Sequence, residues 1–246
     1  MVRPEITGTL EPASQPAGTT PVPKPQAIRR WVSFAFGADS TGVAAAGRQS
    51  SFGDQREQVG FEEMGRYRLE AIQVVRGTAP AGVGPGLFVS RREHEGIRPP
   101  GGGPLALSGV AELSRSTPEM VEEQLLRAWA GSPWRVGLLL AFSHTPAFWA
   151  LPVEQRGATY LGLHEAPREP RARVLGTVFR RLYRARNSSG ASSDWDYLAF
   201  FEMQPRDVAH VREHLAEIRD RRSNALFNHV NREVELWMTR QPTSRS

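Results

Sequence analysis

Residues 194–203 read Asp194-Trp195-Asp196-Tyr197-Leu198-Ala199-Phe200-Phe201-Glu202-Met203, and they carry the strongest fold signal in the chain. Their apolar and aromatic composition is typical of a buried β-strand. Gln204-Pro205 then begins an amphipathic helix that we expect to end near Arg219, because proline suits the first turn of a helix. A second apolar strand is predicted over residues 231–238. A strand, a helix and a strand therefore follow one another within a short stretch of chain.

The same order of elements occurs once before. Residues 105–113 form a predicted strand, Thr117-Pro118 begins a predicted helix, and residues 134–142 form a strongly apolar strand. Thr117 suits the N-cap position because its hydroxyl can accept a hydrogen bond from the first helical turn. A repeated strand–helix–strand unit indicates an α+β fold made of two ferredoxin-like halves.

The region between the two repeats, residues 145–183, is predicted to be a helical insertion. Pro146 opens it, Pro152 restarts it, and Pro167 and Pro170 interrupt it. A last apolar face then follows near helical spacing, which predicts a helix that runs into Tyr183. The residues of this face are Leu175, Val178, Phe179 and Leu182. We expect the insertion to cover one face of the sheet and to leave a pocket beside it.

Composition predicts how the chain is divided. Much of the glycine and proline (23 and 19 residues) lies near the N-terminus and in one linker. The predicted segments are a disordered leader (1–27), a strand-rich region (28–98), a Gly/Pro loop (99–104), the repeated α+β region (105–240) and a tail (241–246). Within the strand-rich region, strands are predicted at 31–36 and 67–74, because apolar and polar residues alternate there, and residues 87–90 are a candidate third strand.

Several classes of function are excluded by composition. The chain has no cysteine, which rules out disulfides, iron–sulfur ligation and thiolate-bound haem or zinc. The leader lacks the apolar core of a secretory signal, and the longest apolar run is too short to cross a bilayer. We therefore expect a cytoplasmic protein with no membrane partner.

The positive charge does not predict a nucleic-acid partner. The net charge is +5, and basic residues are interleaved with acidic ones along most of the chain. A phosphate-binding surface needs basic residues clustered on one face. Only residues 168–186 are densely basic, and a mixed charge run of this kind is usually a solvated helix face.

The six histidines offer few metal-binding patterns. His210 and His214 lie four residues apart on the late helix and could share a metal, but both are expected on its solvated side. His144 follows a strand and suits polar capping. His164 lies in the insertion shortly before the arginine-rich segment, where either a structural role or a ligand role is open.

Five blocks of the chain resemble the chlorite dismutase family of haem proteins, in their order and spacing, over about residues 105–240. The blocks are Leu107-Ser108-Gly109-Val110, Phe148-Trp149-Ala150-Leu151-Pro152-Val153-Glu154-Gln155-Arg156, Arg180-Arg181-Leu182-Tyr183, Asp194 to Glu202, and Arg232-Glu233-Val234-Glu235. The chain looks like a divergent member of that family. The resemblance implies a dimeric α/β-barrel type sheet built from ferredoxin-like halves, usually in a larger homo-oligomer.

The resemblance also implies a site. A b-type haem or coprohaem is held by one proximal histidine, and a distal arginine or glutamine further along sets the reaction. Carried onto this sequence, His164 is the haem and iron ligand, Arg180 is the distal residue with Arg184 as its alternative, and Tyr183 is a redox or hydrogen-bonding neighbour. The implied activity is a haem-dependent oxidoreductase that cleaves an O–O or Cl–O bond of a small, anionic or peroxidic substrate.

One departure from the family pattern keeps a second hypothesis open. Counting back from Arg180, the proximal histidine is expected near Ala166 or Pro167, so His164 is two or three residues early. Pro167 and Pro170 disturb the helix that presents it. The alternatives are a haem-free protein of the same fold that binds another ligand or serves in assembly, and a specialised biosynthetic enzyme.

Overall fold

The computed structural model describes residues 30–38, 62–95, 106–111, 135–156, 177–185, 195–220 and 226–242. Eight strands close into one barrel in the order β1-β3-β2-β8-β5-β7-β6-β4, and every neighbouring pair is antiparallel. The strands are β1 Arg30–Gly37, β2 Glu62–Arg76, β3 Phe88–Glu95, β4 Ala106–Ala111, β5 Val136–His144, β6 Phe179–Arg184, β7 Tyr197–Met203 and β8 Val230–Arg240. The α-helices of the described residues include α1 Pro146–Ala150 and α2 Val208–Arg219, and residues 153–156 are also helical.

The two halves of the chain use the same strand order. Around the barrel the first four strands run β4-β1-β3-β2, and the last four run β8-β5-β7-β6. Counted within each half, both orders are 4-1-3-2. The strands of the early region therefore belong to the same closed barrel as the later ones.

The two predicted strand–helix–strand units are not equivalent in this barrel. Strands β7 and β8 flank β5, whereas β4 and β5 are separated by both β6 and β7. The first predicted unit thus runs from the last strand of one half to the first strand of the other. Sequence order alone could not show this, because strand neighbours are set by pairing across the barrel.

Alternation along the strands gives the barrel two apolar layers. The interior layer includes Phe34, Leu139, Phe200 and Leu236, all of them fully buried. The outer layer lies on the second half and packs against Val211 and Leu215 of α2. Its sheet residues include Leu138, Leu140, Ala199, Phe201 and Trp237.

The predicted late helix is confirmed, with one exception concerning its polar face. A 3-10 turn at Pro205–Asp207 leads into α2, which ends at Arg219 as expected. His214, however, is buried rather than solvated. Its direction on the helix lies only about 60° from that of Val211, so it falls at the border of the apolar stripe.

The helix predicted to run into Tyr183 is wrong over the residues that the structure describes. Residues 179–184 form strand β6, paired with β7 in six register positions. Phe179, Arg181 and Tyr183 alternate with Arg180 and Leu182, so the sequence also fits a period of two. Pairing with β7 decides between the two periods, as tertiary contacts commonly override local pattern.

The other predicted strands are present, although β2 begins at Glu62 rather than at residue 67 and β3 ends at Glu95 rather than at residue 90. Pro146 opens α1 as expected. The predicted helix that begins at Thr117, and most of the helical insertion, lie outside the described residues. Among the described helices, none combines the length and the apolar character that crossing a membrane requires.

Candidate functional site

On the outer face of the second half of the barrel, three rows of side chains run across strands β8, β5, β7 and β6. One row joins Trp237, Leu138, Phe201 and Arg180, and the next joins Glu235, Leu140, Ala199 and Leu182. The third row joins Glu233, Phe142, Tyr197 and Arg184. The face is therefore acidic at β8, apolar in the middle and basic at β6.

Arg180 and Arg184 form the basic edge of this face. Strand alternation puts both side chains on the same side as Leu182, which packs in the outer apolar layer. The two Cα atoms are about 13 Å apart along β6. Arg184 is exposed, while Arg180 is largely buried, and burial lowers the pKa of the Arg180 guanidinium below its ordinary value. The guanidinium stays charged, because arginine pKa values lie far above neutral pH.

Tyr183 points the other way, into the barrel. Its hydroxyl donates to Glu93 Oε1 at 2.7 Å, and Arg181 Nη1 donates to Glu93 Oε2 at 2.7 Å. Arg91 also pairs with Glu93 and donates to the Tyr183 hydroxyl oxygen at 3.3 Å. We call Arg91, Glu93, Arg181 and Tyr183 the interior cluster. All four side chains are buried.

Charge pairing governs the ionisation of the interior cluster. Burial alone raises the pKa of the Glu93 carboxyl, but the positive charges of Arg91 and Arg181 and the hydrogen bond from Tyr183 reverse this, so the pKa is lowered. Burial raises the pKa of Tyr183, which keeps it protonated as a donor. The Arg91 guanidinium also lies over the rings of Phe200 and Phe179, 4.6 and 5.1 Å from their centroids.

A group of aromatic rings stands beside Arg184 at the end of the same outer face. Tyr197 stacks on Phe142 with a centroid distance of 5.5 Å and on Trp149 at 6.4 Å. His144 stacks on Phe148 at 4.1 Å. Thr145 caps α1 by accepting from the Phe148 amide at 3.3 Å, which fixes the helix that carries both Phe148 and Trp149.

Asp196 ties this aromatic group to the start of β7. Its Oδ2 accepts from the backbone amide of His144 at 2.7 Å and from Trp149 Nε1 at 3.1 Å. Burial acts to raise the pKa of Asp196, but the interaction with the His144 side chain and the two hydrogen bonds above outweigh it, and the pKa is lowered. The side chain of His144 is fully buried at the last position of β5, and the residue that caps α1 is Thr145 rather than His144.

The structure thus brings together only two of the predicted site residues. Arg180 and Arg184 share the outer face, whereas Tyr183 lies on the interior face of the same strand. His164 lies outside the described residues. Within the described residues, no group of three or more His, Asp and Glu side chains is placed to hold a metal ion.

Sequence reasoning missed the interior cluster. Arg91 and Glu93 are two residues apart and therefore share one face of β3, which is a readable signal for a buried pair. Their partner Arg181, however, lies 88 residues from Glu93 along the chain. Nothing in the local pattern connects the two segments.

The chain resembles solved structures but matches no protein-family model and no curated protein. One similar structure is a dimeric chlorite dismutase from Nitrobacter winogradskyi, 20% identical, with a TM-score of 0.51 over 72% of this chain and 95% of that one. Another is a chlorite dismutase from Candidatus Nitrospira defluvii in complex with imidazole. It is 16% identical, with a TM-score of 0.51 over 87% of this chain and 91% of that one. The likeness spans most of the barrel at low identity, and this sheet-rich α+β chain therefore has the chlorite dismutase fold.

Proposed function

We propose that the chain is a haem-binding oxidoreductase of the chlorite dismutase or peroxidase type, acting on a small oxidant at an open distal site. The observation that carries the proposal is the largely buried Arg180 guanidinium at the edge of an apolar sheet face. A cation in such surroundings interacts strongly with an anion, because little water screens the pair.

The residues of the outer face fit a haem on the side of the substrate. The partly buried Leu182 suits contact with the edge of a porphyrin, and the exposed Arg184 suits a porphyrin carboxylate, while Ala199 and Phe201 beyond them are already buried in the outer layer. His164 would hold the haem iron in this proposal. The carboxylates of a b-type haem and of coprohaem differ in number, and Arg184 can bind either.

The chain's own groups have separate tasks at this site. When bound, haem supplies an iron centre that takes part in electron transfer with the oxidant. Arg180 binds and orients the anionic or peroxidic substrate through its N–H donors, and it stabilises negative charge on the departing oxygen. The apolar residues beside it exclude water, which strengthens these interactions. Arg184 is the alternative for the distal role.

The oligomeric state is part of the same proposal. Both halves of the barrel repeat the strand order 4-1-3-2, which supports two ferredoxin-like halves. The similar protein from Nitrobacter winogradskyi is described as dimeric. We expect this chain to form a homodimer or a larger homo-oligomer in the cytoplasm.

The early position of His164 favours a second candidate, a haem-free protein that uses the outer face to bind another organic anion. Arg180 and the apolar face then serve binding alone. A third alternative is a specialised biosynthetic enzyme that uses the same fold for an oxidation, with or without haem.

The visible spectrum separates the two candidates. Purified protein is titrated with hemin, next to His164→Ala and the matched control His210→Ala on α2. A Soret band in the parent and in the control, lost or shifted in His164→Ala, supports the haem enzyme. The absence of a band in all three proteins rejects it and leaves the haem-free candidate.

A further inference from the structure

The geometry points to Glu93 as a positioning residue for Arg180: from inside the barrel, Glu93 holds the strand that presents Arg180 to the outer face. This inference rests on the proposed role of Arg180. Glu93 belongs to the first half of the chain and lies far in sequence from Arg180. The inference also gives the interior cluster a function.

Two hydrogen bonds connect Glu93 to strand β6. Each oxygen of the carboxylate has its own partner, the Tyr183 hydroxyl on Oε1 and Arg181 Nη1 on Oε2, both at 2.7 Å. These partners are the interior-facing residues that alternate with Arg180 and Leu182. Because successive side chains of a strand point to opposite faces, fixing Arg181 and Tyr183 also fixes the direction of Arg180.

Within the described residues, strand β6 is paired to different extents on its two sides. It pairs with β7 over six register positions, from Phe179 to Arg184. On its other side, the pairing with β4 in the described residues consists of Val110 with Arg184 and Ala111 with Tyr183. The part of β6 that carries Arg180 lies beyond these two pairs. The link through Glu93 ties this part to β3 across the barrel.

The interaction between Glu93 and Arg181 is strong because both groups are charged and both are shielded from water. Glu93 is 5% exposed and Arg181 4% exposed, so water competes little for either group. Arg91, held between the rings of Phe179 and Phe200, adds a second cation on the same carboxylate. Removing the carboxylate takes away the anion that the two buried guanidinium groups share, and we expect β6 to shift in response.

Glu202 provides a matched control inside the same barrel. It is 4% exposed, accepts from Arg240 Nη1 at 2.6 Å and lies 3.3 Å from Arg135 Nη1. These ion-pair partners are not on β6, although the charge of Glu202 also acts on Arg91 of the interior cluster. Glu202→Gln removes a buried carboxylate in the same way as Glu93→Gln does, but it leaves the contacts of Arg181 and Tyr183 intact.

The first experiment measures the affinity of the hemin-loaded protein for fluoride, used as an anionic probe, by visible spectroscopy. We expect Glu93→Gln to weaken fluoride binding about tenfold, as supporting residues commonly do, and Glu202→Gln to change it less than about twofold. In an Arg180→Leu background, Glu93→Gln is expected to have no further effect, because Glu93 acts through Arg180. Additive losses in the double variant, or equal losses in the two Gln variants, overturn the inference.

Tyr183→Phe keeps the experiment decisive if Glu93→Gln does not fold. This variant removes the hydrogen bond that the Tyr183 hydroxyl donates to Glu93, which is one of the two between Glu93 and β6, and it preserves the aromatic ring of residue 183. We expect it to weaken fluoride binding about threefold, again only while Arg180 is present. An unchanged affinity contradicts the inference.

A second experiment needs no haem. Amide hydrogen exchange in the haem-free protein is expected to become faster in residues 179–184 of Glu93→Gln, or of Tyr183→Phe, with little change in residues 136–144. Unchanged exchange in residues 179–184 rejects the link between Glu93 and β6. Failure of the proposed function gives a different result, in which the parent shows no Soret band while β6 still responds to Glu93.

Discussion

Two buried ionic clusters of this barrel use the same residue types in opposite proportion. The interior cluster has two arginines, Arg91 and Arg181, around the single carboxylate of Glu93. On the outer face, Arg219 at the end of α2 is shared by two carboxylates, Glu233 and Glu235, with Nη2–Oε1 distances of 2.5 Å to each. We call these three residues the outer acidic cluster.

The proportion of charges sets the direction of the pKa shift. Burial raises the pKa of both Glu93 and Glu233. Around Glu93 the two arginines outweigh burial, so its pKa is lowered. Around Glu233, burial together with the neighbouring Glu235 outweighs the charges of Arg219 and Arg76, so its pKa is raised. A buried ion pair is therefore stabilising or costly according to the charges that surround it.

The largest expected effect comes from removing the charge of Glu93. Glu93→Gln removes the anion that two buried cations share, and we expect a loss of about 3–5 kcal/mol in the free energy of unfolding. Equilibrium denaturation in urea at pH 7 measures it, with the exposed Glu70→Gln as control. A loss as small as that of the control contradicts the assignment of the interior cluster.

The corresponding change in the outer acidic cluster is expected to have a much smaller effect. Glu233→Gln removes the repulsion with Glu235, and Arg219 keeps Glu235 as its partner. The free energy of unfolding is expected to change by less than about 1 kcal/mol, measured in the same urea titrations. A loss equal to that of Glu93→Gln would erase the distinction between the clusters.

The pH dependence of stability should separate the clusters by sign. Glu93 has a lowered pKa in the folded state, so its contribution is present above the ordinary value of 4.5 and is lost as the pH falls through the folded value. Glu233 has a raised pKa, so its contribution is complete below 4.5 and is lost as the pH rises through the folded value.

To measure this difference in sign, the free energy of unfolding of each Gln variant is subtracted from that of the parent at each pH from 7 to 3. We expect the difference for Glu93→Gln to shrink as the pH falls below 4.5. For Glu233→Gln the parent should gain relative stability as the pH falls towards 4.5. Parallel curves for the two variants would show that the proportion of charges does not decide the shift.

The strands could be predicted from the sequence because their side chains alternate along short apolar runs. The decisive stretch became β7, where Leu198 and Phe200 pack inside the barrel and Ala199 and Phe201 pack outside it. Residues 179–184 were harder, since Leu175, Val178, Phe179 and Leu182 fit a helical period as well. Only the partner strand selects the period of two.

The candidate site was predictable only in part. The block from Arg180 to Tyr183 could be recognised as a unit, but the sequence did not show that its alternate residues serve opposite faces of the sheet. The interior cluster depends on a carboxylate that lies 90 residues from the Tyr183 hydroxyl to which it bonds. Such a contact forms only when the barrel closes, and the local sequence pattern does not predict which strands then face each other.

The most direct test of the proposed site is a crystal structure of the protein loaded with hemin. The expected result is a porphyrin against the outer face of β6 and β7, with the Arg180 guanidinium facing it and with Arg181 and Tyr183 still bonded to Glu93 inside the barrel. A porphyrin bound away from Arg180, or a crystal in which hemin does not bind to the outer face, would contradict the account.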